Sequence, residues 1–351
     1  MWVPSVTLQT KSTQRLDHRD SHPPEVPAAA DSGVRLWLYD VKGEDAPLRL
    51  EHGELPGPDD HQMLWIDADL GSTESLAPLW TQLGITDQIN QLDRGPDRPK
   101  LVHHNGLMQL NVSVVRDEPE FRAIPLHCLV GTNWIATIHD GDLDLVDEFN
   151  KPFHGETDLG GLSGPAFLSL VLDWQLNSYF KSIEDVQAEV DQLDEELLQT
   201  SPDEDDLLSR LLGLRRSVRR LRQTLASHRD VLGLLSHPES DAVVGSAAAH
   251  NYLRLAERLE RALDAVDTTR EMIVGSFDIF MSRTAQTTND IMKRLTIVSV
   301  LLLPAVVIAG IMGMNFKVGI FDRAWMFWVT LSVMVSLATA TLVIAKRHKW
   351  I

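Results

Sequence analysis

A single cysteine, Cys128, occurs in 351 residues, so one chain can build neither a disulfide framework nor a thiolate metal cluster. The residue lies in an alternating apolar stretch, where a free thiol is ordinarily buried and inert. Positive charge is scarce as well. Lys and Arg number 32 against 50 Asp and Glu, a formal net charge of −18, which excludes a surface built to neutralise phosphates and with it a nucleic-acid partner. Such a surface accumulates cations instead. The glycine-rich "GETDLGGLSGP" (155–165) has no Gly-Lys-Ser/Thr ending, so it reads as a linker and not as a phosphate-cradling loop. Histidines that tempt a catalytic reading are confined to "VHH" (102–104) and His139-Asp140. With no base or orienting partner in view they read as satisfied strand residues, and no enzyme is predicted. The opening "MWVPSVTLQTKSTQRLDHRD" lacks the apolar core of a secretory leader and runs into a Pro/Ala/Ser-rich stretch. Residues 1–32 are accordingly expected to be disordered.

Charge disappears altogether from two segments near the C-terminus. Residues 295–314 (20 residues) and 324–345 (22 residues) contain none, and each spans about 30 Å as a helix, enough to cross a bilayer. Lys293 and Arg294 precede the first, while Lys346, Arg347 and Lys349 follow the second. The loop between them, 315–323, holds Lys317, Asp322 and Arg323. This distribution predicts a multi-pass protein of the inner or plasma membrane, with both termini in the cytoplasm and a basic tail at 346–351.

The remainder divides by its periodicity. Residues 33–160 carry period-2 patterns in "VRLWLYDV" (34–41), "MLWIDADL" (63–70), "LMQLNVSVV" (107–115), "AIPLHCLV" (123–130) and "WIATIH" (134–139). Gly131-Thr132-Asn133 reads as a hairpin turn, and helices are expected at 73–83 and 143–150. The prediction is an α/β domain on a mixed or antiparallel sheet. Residues 161–242 read as a helical hairpin: an amphipathic run from Phe167 to Leu198, then Ser201-Pro202-Asp203-Glu204 as cap and first turn of the return. Its outgoing arm is acidic and its returning arm basic, so antiparallel pairing matches the charges. After Ser236-His237-Pro238 a further helix begins near Val243 and meets no stop before Gly313. Its first part, 243–294, reads as a stalk that runs straight into the first span. Pro304 is tolerated there because neighbouring helices satisfy the freed carbonyl.

Counting back along that helix in steps of three and four from the "GMN" turn (Gly313, Met314, Asn315) gives Gly310, Val306, Leu303, Ser299, Leu295 or Thr296, Met292, Asn289 or Thr288, and finally Asp278. The face is small or polar, broken by aliphatic residues at Leu303 and at Met292/Leu295. Close helix packing through small residues explains part of it. A pore wall explains all of it: a polar mouth, a dry constriction and a carboxylate at the inner end. Two spans enclose no aqueous path, so a pore requires several copies around an axis. Asn315 then becomes a ring of carboxamides that hydrogen-bond the water shell of an ion such as Mg²⁺, which dehydrates reluctantly.

On "GMN" after a Pro-containing span, a second span ending "KRHKWI", the helix "NDIMKRLTIVSVLLLPAVVIAGIMGMNF" (289–316), "RPK" (98–100) and "WID" (65–67), the sequence resembles the CorA family of divalent-cation channels, within the CorA/ZntB superfamily. The resemblance implies a funnel-shaped homopentamer with an α/β cytoplasmic domain, a long stalk helix and two C-terminal transmembrane helices, the first pore-lining. It implies Asn315 as the selectivity ring for Mg²⁺, Co²⁺ or Ni²⁺. It also implies a regulatory Mg²⁺ bridging a stalk carboxylate, Asp278, to an acid of the neighbouring domain. Gln91 stands near the usual place of that acid, with Asp93, the residue assigned here, and Asp97 close by. The loop after GMN reads "FKVGIFDR" where the family is often acidic, and Val306 and Leu303 replace a frequently polar residue and a frequent methionine.

Two other readings stay open. A ZntB-like Zn²⁺ transporter shares the turn, but no His or Cys occurs from Asn251 to Arg347, so direct coordination by zinc's preferred ligands is absent from the pore. A membrane-tethered scaffold or sensor with no conduction would use the stalk for assembly alone.

Overall fold

The computed structural model describes residues 34–42, 45–48, 57–90, 92, 98–104, 106–116, 121–141, 143, 145, 158–198, 204–237, 246–313 and 324–347. The chain forms two compact units: residues 1–95, 102–110 and 126–167, and residues 96–101, 111–125 and 168–351.

The sheet is mixed and seven-stranded, in the order β2-β1-β3-β7-β6-β5-β4. Its strands are β1 (Val34–Asp40), β2 (Ala46–Leu48), β3 (Gln62–Asp69), β4 (Lys100–His104), β5 (Leu107–Arg116), β6 (Arg122–Val130) and β7 (Trp134–His139). β1 runs antiparallel to β3 with Trp37 opposite Trp65, and β3 runs parallel to β7 with Ile66 opposite Ala136. The five patterned segments all become strands. Two more, β2 and β4, escape the periodicity because they are short pieces at the sheet edges, the first containing Pro47, which donates nothing to a ladder. Gly131-Thr132-Asn133 closes the β6–β7 hairpin, with Gly131 N–H donating to the Trp134 carbonyl at 2.9 Å. The helix expected at 73–83 splits: residues Leu70–Leu76 coil as 3₁₀, and α1 (Ala77–Gln82) follows, with α2 (Thr86–Asn90) after a turn at Gly84. Of the helix expected at 143–150, only residues 143 and 145 lie among those described.

The apolar face of this sheet is filled by Leu64, Ile66, Ile138 and Leu129 against Leu79 and Trp80. Cys128 is wholly buried, and burial, then the charge of Asp67, pushes its thiol up to about 12, as its sequence context predicts. Within the same unit Asp67 is almost fully buried and fully engaged. Thr137 Oγ1 donates to it at 2.6 Å, Arg35 reaches it at 3.1 Å, and His139 Nε2 lies 3.3 Å away. Burial works against its ionisation, but His139, Thr137 and Arg35 outweigh that and hold the carboxyl below its usual range. His139 is correspondingly raised: burial opposes its charge, and Asp67 and the Gly141 carbonyl favour it. This histidine is a structural ion-pair partner.

From residue 158 on, the stretch read as a linker is packed instead. Residues Asp158–Gly161 form a 3₁₀ turn against β1 and β3. A Cβ on Gly160 would stand 2.7 Å from both the Tyr39 carbonyl and the Val41 nitrogen, and Gly164 N–H donates to the Thr132 carbonyl. These glycines allow close backbone approach.

In the second unit, α3 (Gly164–Leu197), of which residues 164–167 belong to the first, is followed by α4 (Glu204–Ala226), α5 (Arg229–Leu235), α6 (Ser246–Met312) and α7 (Ala324–Arg347). The capping residues 201–203 lie outside the described residues. The returning arm is interrupted at Ser227 and His228, a break the periodicity does not reveal. The reason is His228. Its buried ring accepts the Ser113 N–H at Nε2 (3.0 Å) and donates from Nδ1 to the Thr224 carbonyl (2.9 Å), while the Ser113 carbonyl accepts from Gln175 (2.6 Å) and Tyr179 (2.9 Å). The charge matching expected between the two arms is realised only in part. Arg210 reaches Glu196 at 2.7 Å and Glu189 at 3.6 Å, but Arg222 and Arg229 turn to Asp267 and Glu260 of α6.

Burial lowers the pKa of His228 from 6.5 to about 4, so the fold holds the neutral ring. Its contribution is complete above pH 6.5 and is lost progressively as pH falls from there towards about 4. Thermal unfolding of the detergent-solubilised protein should therefore steepen with acidification across that window, and His228→Gln should flatten the slope. His228→Ala, which strands the buried Ser113 N–H, should cost about 1–3 kcal/mol at neutral pH.

Candidate functional site

The site expected from the sequence lies along α6, a helix of 67 residues. What holds so long a helix is a stripe of buried residues at alternating steps of three and four: Tyr252, Leu255, Leu259, Ala262, Val266 and Thr269, continuing through Ile273 and Ser276 to Phe280. This is the seam of a helix packed against neighbours, here α4 and α5. Polar contacts fix its register. Arg222 bonds Asp267 at 2.6 Å, Arg229 bonds Glu260 at 2.5 Å, Arg258 pairs with Asp173 of α3, and Gln187 donates to Thr269 at 2.8 Å. The hydrogen bonds from Arg229 and Arg222 hold Glu260 and Asp267 below the usual carboxylate range.

Beyond Phe280 the stripe stops. At about 100° per residue, Asn289, Met292, Leu295, Ser299, Leu303, Val306 and Gly310 fall within a sector roughly 120° wide, and Asp278 projects into the same sector. All eight are exposed in the single chain, Leu303 at 67% and Val306 at 64%. The half-buried residues of the same stretch, Ile297, Leu301, Pro304, Ala305 and Ile308, lie roughly on the opposite side. α7 packs against α6, and its own half-buried residues, Met326, Thr330, Met334, Ala338 and Thr341, form one face at four- and three-residue steps. One side of α6 is thus covered by α7, and the sector predicted to line a path lies on the side that the described residues leave open. Pro304, with no N–H to give the helix, sits on the covered side.

Within the open sector, the Ser299 hydroxyl donates to the Leu295 carbonyl at 2.9 Å, which leaves its oxygen lone pairs facing outward as acceptors. Thr296 does the same to Met292 at 2.8 Å. Gly313 is exposed and its N–H still donates to the Ala309 carbonyl at 2.9 Å, so helical hydrogen bonding reaches it. Met314 and Asn315 lie outside the described residues, as do Asp93, Gln91 and Asp97. Asp278 stands exposed, and among the described residues no group of three His, Cys, Asp or Glu gathers to hold a metal in one chain. The Ala248–Ile311 portion of α6 contains a stretch long and apolar enough to cross a membrane, and Trp325–Thr341 of α7 is a shorter apolar helix. Sequence reasoning did not identify the α7-covered side of α6. Its signal was Pro304-Ala305 set between leucine and isoleucine at helical spacing.

The family model described as CorA-like Mg²⁺ transporter protein matches residues 60–347. The cobalt/magnesium transport protein CorA of Thermotoga maritima is 30% identical over 182 residues, 52% of this chain and 51% of the relative, so the match spans about half the relative's length. CorA of Methanocaldococcus jannaschii is 24% identical over 84% of this chain and 93% of its own. The complete structure of the latter magnesium transporter superposes with a TM-score of 0.73 over 90% of this chain and 98% of that one, at 23% identity. The full-length CmaX protein superposes with a TM-score of 0.69 over 92% and 100%, at 20% identity. The chain belongs to the family of CorA-like Mg²⁺ transporter proteins.

Proposed function

We propose that the chain is one subunit of a homopentameric channel that passes hydrated divalent cations, Mg²⁺ first and Co²⁺ or Ni²⁺ with it, across a bilayer. The observation that carries this reading is the open sector of α6. A helix apolar enough to span, covered on one side by α7 and bare on the other from Asn289 to Gly310, has a face reserved for other copies or for water. Family membership and the names of the cobalt/magnesium transport relatives support the choice of ion.

On this reading α6 and α7 both cross the bilayer, with the termini in the cytoplasm and the 315–323 loop outside. Asn315, with Gly313 and Met314, forms the entrance ring, whose carboxamides bond an ion's water shell. Leu303, with Met292 and Leu295, provides constrictions that close by dewetting. The open sector contains no imidazole or thiolate, so selection works through the hydration shell, where Mg²⁺ differs most from other metals in its reluctance to dehydrate. Asp278 supplies one carboxylate per subunit to a regulatory Mg²⁺ site, with Asp93 of the neighbouring subunit's domain as the second donor. Both are hard oxygen ligands suited to Mg²⁺.

Liposomes containing the purified protein should take up Mg²⁺ and Co²⁺, and Asn315→Ala should abolish uptake while the complex keeps its size in detergent. Zinc uptake without magnesium uptake would replace the reading by a Zn²⁺ transporter, and a complex indifferent to Asn315→Ala would make it a scaffold. Leu303→Ser should wet the constriction and raise flux at high internal Mg²⁺. Asp278→Ala should weaken the protection that Mg²⁺ gives against limited proteolysis, and unchanged protection removes Asp278 from the sensor.

A further inference from the structure

The two arms of the helical hairpin carry charges that they do not pair with each other. On α3, Glu184, Asp185, Asp191 and Glu195 are exposed, and on α4 so are Arg215, Arg216, Arg219 and Arg220. Among the described residues none of the eight forms an ion pair, and Arg216 donates only to the Leu212 carbonyl one turn back, at 3.2 Å. Each cluster lies on the side of its helix turned away from that helix's buried residues: Ile183, Val186, Val190 and Leu193 on α3, and Leu211, Leu214, Val218 and Leu221 on α4. Four neighbouring guanidinium groups repel one another, and in a chain of net charge −18 such a face calls for an acidic surface opposite it.

Contacts to α6 fix where each cluster stands. Asp173 and Gln187 of α3 meet Arg258 and Thr269, so α3 runs parallel to α6; Arg222 and Arg229 meet Asp267 and Glu260, so α4 and α5 run against it. Counting residue for residue from these contacts, the four acids stand level with roughly residues 266–277 of α6 and the four arginines with roughly 269–274. The clusters share one height. They also occupy opposite flanks, because at about 100° per residue Arg258 and Thr269 lie roughly 180° around α6 from Glu260 and Asp267. At 1.5 Å per residue the arginines stand about 30 Å or more before Leu295, the start of the uncharged stretch, which is too far to reach lipid headgroups.

Rotation about an axis parallel to α6 preserves height, so in a closed ring a feature of one copy meets only a feature at the same height on the next. A ring is also head-to-tail, setting one flank of each copy against the opposite flank of its neighbour. We infer that the acidic face of α3 docks on the arginine face of α4 of the adjacent copy, a contact repeated around the ring. The inference rests on the multi-copy reading proposed above and adds to it a contact outside the membrane. Ala188, amid the acids, leaves room for long arginine side chains, and Leu212, 40% exposed, adds apolar surface beside the arginines. Paired in this way, opposite charges set the order and register of the copies more than their affinity.

The test is oxidative cross-linking of the full chain in detergent, carrying A188C and R216C together; Cys128 is wholly buried and stays out of the reaction. A ladder of covalent oligomers should appear on denaturing gels, weaken at high salt, and be absent from either single-cysteine variant. Adding R219E/R220E should lower its yield roughly tenfold, since several weak exposed pairs are lost together, and adding E184R/D191R to that chain should restore it. No ladder, cross-links confined within one chain, or a yield indifferent to charge reversal overturns the inference. Should the reversed chain fail to assemble, R219Q/R220Q carries the test: the yield should fall, and an unchanged yield overturns the proposal. Sizing and metal flux of the same preparations separate the two readings. A multimer without a ladder removes this contact and leaves the channel, a ladder without flux leaves the contact and removes the channel, and a monomer removes both.

Discussion

Everything that can happen at the membrane depends on one seam, the buried stripe from Tyr252 to Phe280 that clamps the first half of α6 onto α4 and α5. A helix of 67 residues has no stability of its own to spare, because most helical stability in proteins comes from packing one face. The seam supplies that packing for about half the length and then ends within a turn. The second half receives α7 along one side and, among the described residues, nothing along the other. Exposed leucine, valine and isoleucine continue around the rest of its surface, far more apolar area than a soluble monomer leaves open. Lipid would cover the outer part of that surface; the sector that mixes Asn289, Ser299 and Gly310 with aliphatic residues is the part that the proposed reading assigns to further copies and solvent.

Each unit is pinned internally by buried polar groups that leave little slack. In the second unit, the main-chain N–H and carbonyl of Ser113 are both taken by side chains, His228 on one and Gln175 and Tyr179 on the other. That ties a strand to three helical turns through a single residue. The arrangement works only with a neutral imidazole, since Nε2 must accept while Nδ1 donates. In the first unit the opposite tendency holds: Asp67 and His139 each favour the other's charged form, with Thr137 bonding the carboxylate and Trp65 bonding Thr137 in turn at 2.9 Å. Burying a charge pair contributes less to stability than to fixing one arrangement of its partners, and here it fixes β1, β3 and β7 in register.

Long, strongly periodic elements were legible in the sequence; elements that depend on one tertiary contact were not. The five patterned strands and the unbroken helix from the 240s to Gly313 follow from spacing alone, because alternation and 3.6-residue periodicity are local properties. The break at Ser227-His228 is invisible to that logic. It exists so that a histidine can reach Ser113, which lies 115 positions away, and no window of sequence contains both. The packing of residues 158–164 was hidden for a related reason: glycines that look like a flexible linker are there to let backbone approach backbone at Tyr39 and Thr132. Of the candidate site, the face of α6 was readable as a stripe, while the coverage of its back by α7 required the structure. Asn315 rests on the sequence pattern and Asp93 on the family resemblance, since neither lies among the described residues.

The chemistry of the open sector constrains what kind of selection a channel of this type performs. From Asn289 to Gly310 the predicted lining offers an amide, a thioether, a hydroxyl, aliphatic chains and a glycine, none of them a ligand able to replace several water molecules around a small divalent ion. The carboxylate that does lie in the sector, Asp278, stands eleven residues before Asn289, about 16 Å along the helix at 1.5 Å per residue. A path with hard ligands only at its inner end and weak donors elsewhere passes an ion with its water attached or not at all, because stripping Mg²⁺ requires oxygen ligands in number at every step. On the proposed channel reading the departures from the family pattern have a consistent sense. Val306 and Leu303 would make the wall drier and Lys317 would make the entrance less attractive to cations, so control would shift from coordination toward hydration of the constriction. The conducting and closed states would then differ chiefly in whether water fills the space around Leu303, a difference that small displacements of α6 suffice to produce.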